Sequence, residues 1–264
     1  GGLATANLLA KAGYEVHIYE KEKGPGGRAG QFKKSGFTFD TGPSWYLMPD
    51  VFDHYYNLLD TSAAKQLDLI KLSPAYKVFF ENAKPVTIQG SLTKDAATFE
   101  AIEPGAGNAL KKYVEAADTT YRLSLKHFLY SNFTATKNLT HGEIISRAGD
   151  MLRLALSPID KYVSTFVKNQ QLKQILEYPM VFLGSSPYSA PAVYSLMSAL
   201  DFKEVVYYPR GTMYAVVESL HAIGKGLGVH YHFNANVTAI TTQAKHATGI
   251  ELDGKKTVTG DIII

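Results

Sequence analysis

The sequence predicts an α/β fold interrupted by an inserted α+β segment, and three features predict it. A helix–turn–strand–acid unit occupies residues 1–20 and a glycine-rich turn follows at 24–30. Near residue 73 the pattern changes to a hairpin and then to helical spacing, and this insert runs to about 211. With 264 residues and 45% hydrophobic content the chain is long enough for a sizeable core, as one large domain or two small ones. The formal charge of +3, from 27 Lys+Arg against 24 Asp+Glu, makes no case for nucleic acid and leaves only a mild attraction to an anionic membrane surface. The absence of cysteine removes disulfide frameworks, thiolate nucleophiles and Cys-ligated metal sites, and suits a reducing cytoplasm. No apolar run approaches the roughly 18 residues of a membrane span, so any membrane contact is expected to be peripheral.

Residues Gly1–Gly13 put small and apolar groups on one side of a short helix, which Gly13 stops as the residue just past its end. Next, Tyr14, Val16 and Ile18 alternate on one face of a strand that ends at Glu20. In a Rossmann βαβ unit the helix start receives a pyrophosphate, and an acid about 20 residues on accepts hydrogen bonds from ribose hydroxyls. Glu20 stands at that distance from Gly2, which then reads as the third glycine of a GxGxxG turn, where a missing side chain allows close helix–strand packing. The opening strand and the first two glycines are expected ahead of Gly1. A Gly-Gly before a helix is not restricted to Rossmann units among α/β proteins, so this unit alone leaves an ordinary α/β reading open.

The turn Gly24-Pro25-Gly26-Gly27-Arg28-Ala29-Gly30 adds backbone N–H groups in a nest and a cation with bidentate reach toward phosphate. The alternative is a flexible surface turn with a solvated arginine. After a short strand, Phe37 and Phe39 alternate before the Gly42-Pro43 turn and Ser44. These spaced motifs, GGLATANLLAKAGYEVHIYEKEKGPGGRAG followed by GFTFDTGPSWYLMPDVF, resemble the phytoene-desaturase and diapophytoene-desaturase family, within the wider group of flavin enzymes that includes the amine oxidases.

The resemblance implies a Rossmann-like FAD-binding domain of the glutathione-reductase/amine-oxidase type, made of residues 1–72 and 212–264, with an inserted α+β substrate domain at 73–211. It implies FAD contacts at Gly2, Glu20, Lys21, Gly27, Arg28, Gly42, Pro43, Ser44 and Val237. The segment Tyr207-Tyr208-Pro209-Arg210-Gly211-Thr212-Met213 is similar to the family's Pro-x-Gly-Gly-Met, with Thr212 replacing the second glycine. A helix through Leu220 and Ile223 follows, then strands from Val229 to Ile240, in which Val237 takes the family's role of offering backbone to adenine. An ordinary strand residue is the other reading of Val237. The segment from Gly249 carries Ile250 and Leu252 to a turn at Asp253-Gly254 and closes on an apolar strand, Ile262–Ile264. A further substrate-domain portion and a last flavin-binding segment are expected beyond it.

The implied activity is FAD-dependent desaturation of a long isoprenoid polyene: flavin N5 takes a hydride and a second hydrogen leaves as a proton. A lipophilic substrate implies a cytoplasmic enzyme held peripherally at a membrane. A carotenoid isomerase, a retinol-saturase-like enzyme, an amine oxidase or a non-catalytic isoprenoid-binding flavin fold are the alternatives.

Within the insert, Tyr76–Phe80 and Pro85–Ile88 predict paired strands, and helical spacing runs from Glu103 to about Phe182 with breaks at Asn138 and Pro158. Ile144–Leu156 sets large apolar groups, Met151 and Leu154 among them, beside Arg147 and Arg153. That pattern describes either an interfacial helix or one that covers a core. No catalytic base is assigned: Asp53 and His54 follow the Trp45–Met48 stretch expected near flavin, and Asp50 reads as a helix N-cap. His230 and His232 share a strand face, but no third ligand lies near them in sequence, so no metal is expected. Gly184-Ser185-Ser186 is not a GxSxG elbow, which leaves hydrolase chemistry without support.

Overall fold

The computed structural model describes residues 1–132, 142–254 and 256–264, so the break expected at Asn138 lies outside the described residues. The chain forms two compact units, Gly1–Ile70 with Tyr207–Ile264, and Lys71–Val206.

The first unit opens with the helix Gly2–Lys11, whose buried face includes Ala6 and Asn7. Gly13, at φ +92°, turns the chain out of the helix, a conformation that glycine adopts without penalty. The strand that follows is His17–Glu20, shorter than the expected Tyr14–Glu20, because strand geometry needs a ladder partner and the ladder starts at Val16. Its partner is the parallel strand His230–Phe233, in register His17 with His230 through Glu20 with Phe233. The helix Tyr214–Gly226 packs against Gly2–Lys11. Gly224 permits this approach, since a Cβ there would run into the Tyr231 hydroxyl and the Asn7 amide. Sequence reading assigned close packing to Gly2, where a Cβ meets nothing among the described residues.

Gln31–Lys34 and Phe37–Asp40 form an antiparallel hairpin, turned by Ser35 and Gly36 at positive φ as two-residue hairpin loops require. The helix Pro49–Leu58 starts with Pro49 in its first turn and Met48 as the left-handed cap. Asp50 is therefore not the cap: proline's preset φ and missing N–H suit the first helical position, which places Asp50 one residue inside. Tyr46, Tyr56, Ala63, Leu67, Met213 and Val216 make the unit's apolar core. Val237–Gln243, His246–Leu252 and Lys256–Thr259 form an antiparallel meander with the turn at Asp253-Gly254. Ile262–Ile264 is not a strand: β-branched propensity alone does not make one, and no described strand pairs with it.

In the second unit, Tyr76–Val78 pairs with Val86–Ile88 as an antiparallel ladder shorter than expected. The rest is mainly helical, around a core that includes Phe99, Leu110, Tyr113, Ile159, Leu172 and Ile175. The break at Pro158 is present, with Ala148–Leu156 ending before it and Ile159–Val163 starting after it. Ile144–Leu156 is not one helix but two, Gly142–Ser146 and Ala148–Leu156, separated at Arg147. Met151 and Leu154 are half-buried, and the apolar groups in solvent are instead Ile145, Leu152 (60% exposed) and Leu156 (75% exposed). Among the described residues no helix is long and apolar enough to cross a membrane.

Candidate functional site

The residues expected to hold a cofactor belong to the first unit, at the start of its first helix, at strand ends and on turns, and those joined to one another are joined mostly through backbone. Gly2 opens the first helix, and the N–H groups of that first turn have no helical acceptor and carry the positive end of the helix dipole. Glu20 ends the strand half-buried, and one carboxylate oxygen accepts the Glu22 N–H at 2.9 Å, which fixes the side chain. The Glu20 carbonyl accepts the Ala235 N–H at 2.9 Å and the Glu22 carbonyl the Asn234 N–H at 3.0 Å. The chain that runs on to Val237, the first residue of its strand, is thereby anchored beside Glu20. Sequence reading had no signal for those bonds, because backbone donors carry no residue signature.

In the glycine-rich turn, Gly26 and Gly27 hold φ of +123° and +53°. The turn closes on the Ala29 N–H to Gly26 carbonyl bond at 2.9 Å, and the Tyr214 hydroxyl donates to the Pro25 carbonyl at 3.0 Å. Tyr214 is thus a positioning residue that sequence reading missed. Thr41 N–H bonds the Gly30 carbonyl at 2.9 Å, and a Cβ on Gly42 would overlap the Arg28 carbonyl oxygen. Glycine at 42 is therefore required for these two segments to touch. The exposed Arg28, Lys21 and Ser44 side chains make no hydrogen bond or ion pair among the described residues, and Gly42 and Pro43 are exposed beside them. Exposed cations without a partner and free backbone donors are the groups that suit an anionic ligand.

The segment Tyr208–Met213 closes on the hairpin of Gln31–Lys34 and Phe37–Asp40 through Asp40. One Asp40 oxygen accepts the Tyr208 hydroxyl at 2.7 Å and the Met213 N–H at 3.2 Å, and the other is buried with no partner among the described residues. Burial first, and then the Asp40 carboxylate, push the Tyr208 hydroxyl up to about 12, so it stays protonated and donates. The loop before Met213 departs from expectation in its energetics: Gly211 and Thr212 both have positive φ, +89° and +92°. A β-branched residue is strained there, and the Thr212 hydroxyl compensates in part by accepting the Tyr214 N–H at 3.2 Å.

The residues near the Trp45–Met48 stretch do structural work. Tyr46 is buried, bridges to Tyr207 through two backbone bonds and stacks on Phe52 at 4.4 Å. Asp53 accepts the Ala63 N–H at 2.8 Å, which anchors the next short helix. The histidine pair His230 and His232 has neighbours that sequence reading did not find, Glu15 and His17, brought in by the parallel strand pairing.

The model of the family described as "Flavin containing amine oxidoreductase" matches residues 1–264. The chain is 34% identical over 264 residues to the carotenoid 3,4-desaturase of Haloarcula japonica, covering 100% of this chain and 53% of that protein. It is 30% identical over 264 residues to the zeta-carotene-forming phytoene desaturase of Myxococcus xanthus, covering 100% of this chain and 51% of that protein. It thus spans about half the length of these curated relatives. A solved oxidoreductase structure from Methanosarcina mazei aligns over 98% of this chain and 55% of its own, with TM-score 0.60 and 14% identity, a likeness of fold.

Proposed function

Since this chain belongs to the flavin-containing amine oxidoreductase family and shares its fold, we propose that it forms the FAD-gripping part of an enzyme that desaturates a long isoprenoid polyene. The observation that carries this reading is the cradle in which the Gly24–Gly30 turn presses against Gly42, with Arg28 unpaired and exposed beside it. The residues fit the cofactor. Free N–H groups at the helix start near Gly2, those of Gly27, and the Arg28 guanidinium would hold the diphosphate, with Lys21 as a further cation nearby in sequence. Glu20 has one oxygen committed to its own turn and the other available for ribose hydroxyls. Val237 would offer backbone to adenine, and Gly42, Pro43 and Ser44 would flank the isoalloxazine. FAD, when bound, supplies the two-electron acceptor that removal of hydrogen from a carbon–carbon single bond requires.

The units divide the work in this reading: the first binds cofactor, and Lys71–Val206 serves the substrate. The relatives named as carotenoid and phytoene desaturases support a polyene substrate over an amine. Such a substrate resides in lipid, and exposed Ile145, Leu152 and Leu156, with Arg147 and Arg153 alongside, have the composition of an interfacial docking surface. Peripheral attachment on the cytoplasmic side follows from that reading.

The test is flavin absorbance of the whole protein, followed anaerobically after adding phytoene. Bleaching of the flavin band with growth of longer-wavelength polyene absorption is expected. Arg28→Ala should weaken flavin binding about tenfold, about 1.4 kcal/mol, and Glu20→Ala should act in the same direction. Full flavin retention by both variants would sink the assigned cradle, and a polyene change without bleaching would replace desaturation with isomerisation. Replacing Leu152 and Leu156 by Asp should abolish co-sedimentation with anionic liposomes and leave flavin content unchanged. Equal sedimentation would remove the docking surface.

A further inference from the structure

The parallel pairing of His17–Glu20 with His230–Phe233 gathers a donor set from positions far apart in the chain. His17 and His232 are 215 residues apart, yet His17 Nδ1 lies 3.0 Å from His232 Nε2. The register sets His17 opposite His230 and Tyr19 opposite His232. Because side chains two apart in a strand share a face, the three histidines stand on one side of the pair. His17 and His230 stack with ring centroids 4.6 Å apart. Glu15 joins them from just before the strand, its Oε1 3.0 Å from His17 Nε2. One ligand atom from each of Glu15, His17 and His230 lies within 4.8 Å of the others, and all three residues are exposed.

We propose that Glu15, His17 and His230 bind a divalent transition cation of the zinc class, which clips the His17–Glu20 strand to its partner. Two imidazoles and one carboxylate suit zinc, nickel or copper, whereas magnesium and calcium take all-oxygen shells. Tetrahedral ligands at metal–ligand distances near 2.1 Å stand about 3.4 Å from one another, so side-chain rotation alone brings these three atoms to a common centre. Exposure leaves water the fourth position, the arrangement of three-ligand zinc sites. His232 acts on His17 rather than on the metal: its bond to Nδ1 leaves Nε2, the nitrogen beside Glu15, turned to the cation. The proposal rests on strand register and donor chemistry alone, and is independent of the flavin reading.

The experiment is calorimetric titration of the chelator-stripped whole protein, as purified, with zinc chloride. One equivalent should bind with micromolar affinity and raise the melting temperature. His17→Gln and His230→Gln should each weaken binding at least tenfold and remove the thermal shift. Glu15→Gln, outside any strand and so harmless to folding, should also weaken it about tenfold. His246→Gln, an exposed histidine of the meander, should bind as the parent does. A parent with no affinity below millimolar, or a His17→Gln/His230→Gln double variant that binds like the parent, would overturn the proposal.

Discussion

The unit Lys71–Val206 is built around a large apolar interior, whereas the unit of Gly1–Ile70 and Tyr207–Ile264 holds a small one, although both leave large apolar side chains in solvent. In the former, Phe99, Leu110, Ile159, Leu172 and Ile175 are wholly buried, and the buried carboxylate of Asp95 accepts N–H bonds from Gln89 at 2.6 Å and Ser91 at 3.0 Å. In the latter, the core named above is small, and Phe32, Phe37 (69% exposed), Phe39 and Ile240 face solvent. In its 24–30 glycine turn, Arg28 is exposed and makes no hydrogen bond or ion pair among the described residues. The contrast locates stability: side-chain burial supplies it in one unit, and in the other the flavin proposed above would add to it by mass action. Trp45, the single tryptophan, belongs to the first unit and reports on it by fluorescence, while far-UV circular dichroism weights the helical second unit.

The largest test is Phe99→Ala. Loss of a fully buried ring should cost about 4 kcal/mol in the second unit and shift its dichroism transition in urea. An equal shift of the Trp45 transition would break the comparison.

Next comes pH. Burial first, and the Asp95 charge in addition, raise the Asp201 carboxyl from 3.8 to about 7, although the Tyr76 hydroxyl donates to it at 2.5 Å and pulls the other way. The folded chain then keeps a proton that the unfolded chain releases, so stability falls as pH rises from about 4 to about 7, by at most about 1.4 kcal/mol per pH unit. Asp201→Asn should flatten that slope in the dichroism-detected transition. An unchanged slope would assign the buried proton elsewhere, with Glu177, also raised to about 7 by burial, the next group to replace.

In the first unit, Gly42→Ala pushes a methyl into the Arg28 carbonyl and should cost about 2 kcal/mol, read from Trp45, with loss of flavin. Parental melting and flavin content would separate the two segments. The smallest effect is Thr212→Gly, which relieves the φ of +92° and should stabilise the Trp45 transition by about 1 kcal/mol, net of the lost hydroxyl bond. Destabilisation would mean that the hydroxyl outweighs the strain.

Sequence reading succeeded where the cause is local. Gly13 beyond the first helix, the two positive-φ glycines of the 24–30 turn and the Asp253-Gly254 turn are set by backbone conformations that few residues accept. It failed where a partner decides. Tyr14–Glu20 has strand composition throughout, but only the part facing His230–Phe233 is a strand. Ile262–Ile264 has strand composition and no described partner. The apolar spacing of Ile144–Leu156 is real, yet packing decides which side faces outward: Leu152 and Leu156 are exposed, whereas Met151 and Leu154 are half-buried.

By itself the sequence determined the class of the chain, the order of its glycine turns and the acid that ends its first strand, because turn chemistry and spacing are written within a few residues. Tertiary structure alone decided that Gly224 needs bare backbone where the two helices meet, that Tyr214 props the glycine turn, and that Glu15 and His17 stand beside His230. Each of these joins segments distant in the chain. Register and helix packing, which follow from the sum of all burial and pairing, choose such partners; no local pattern can.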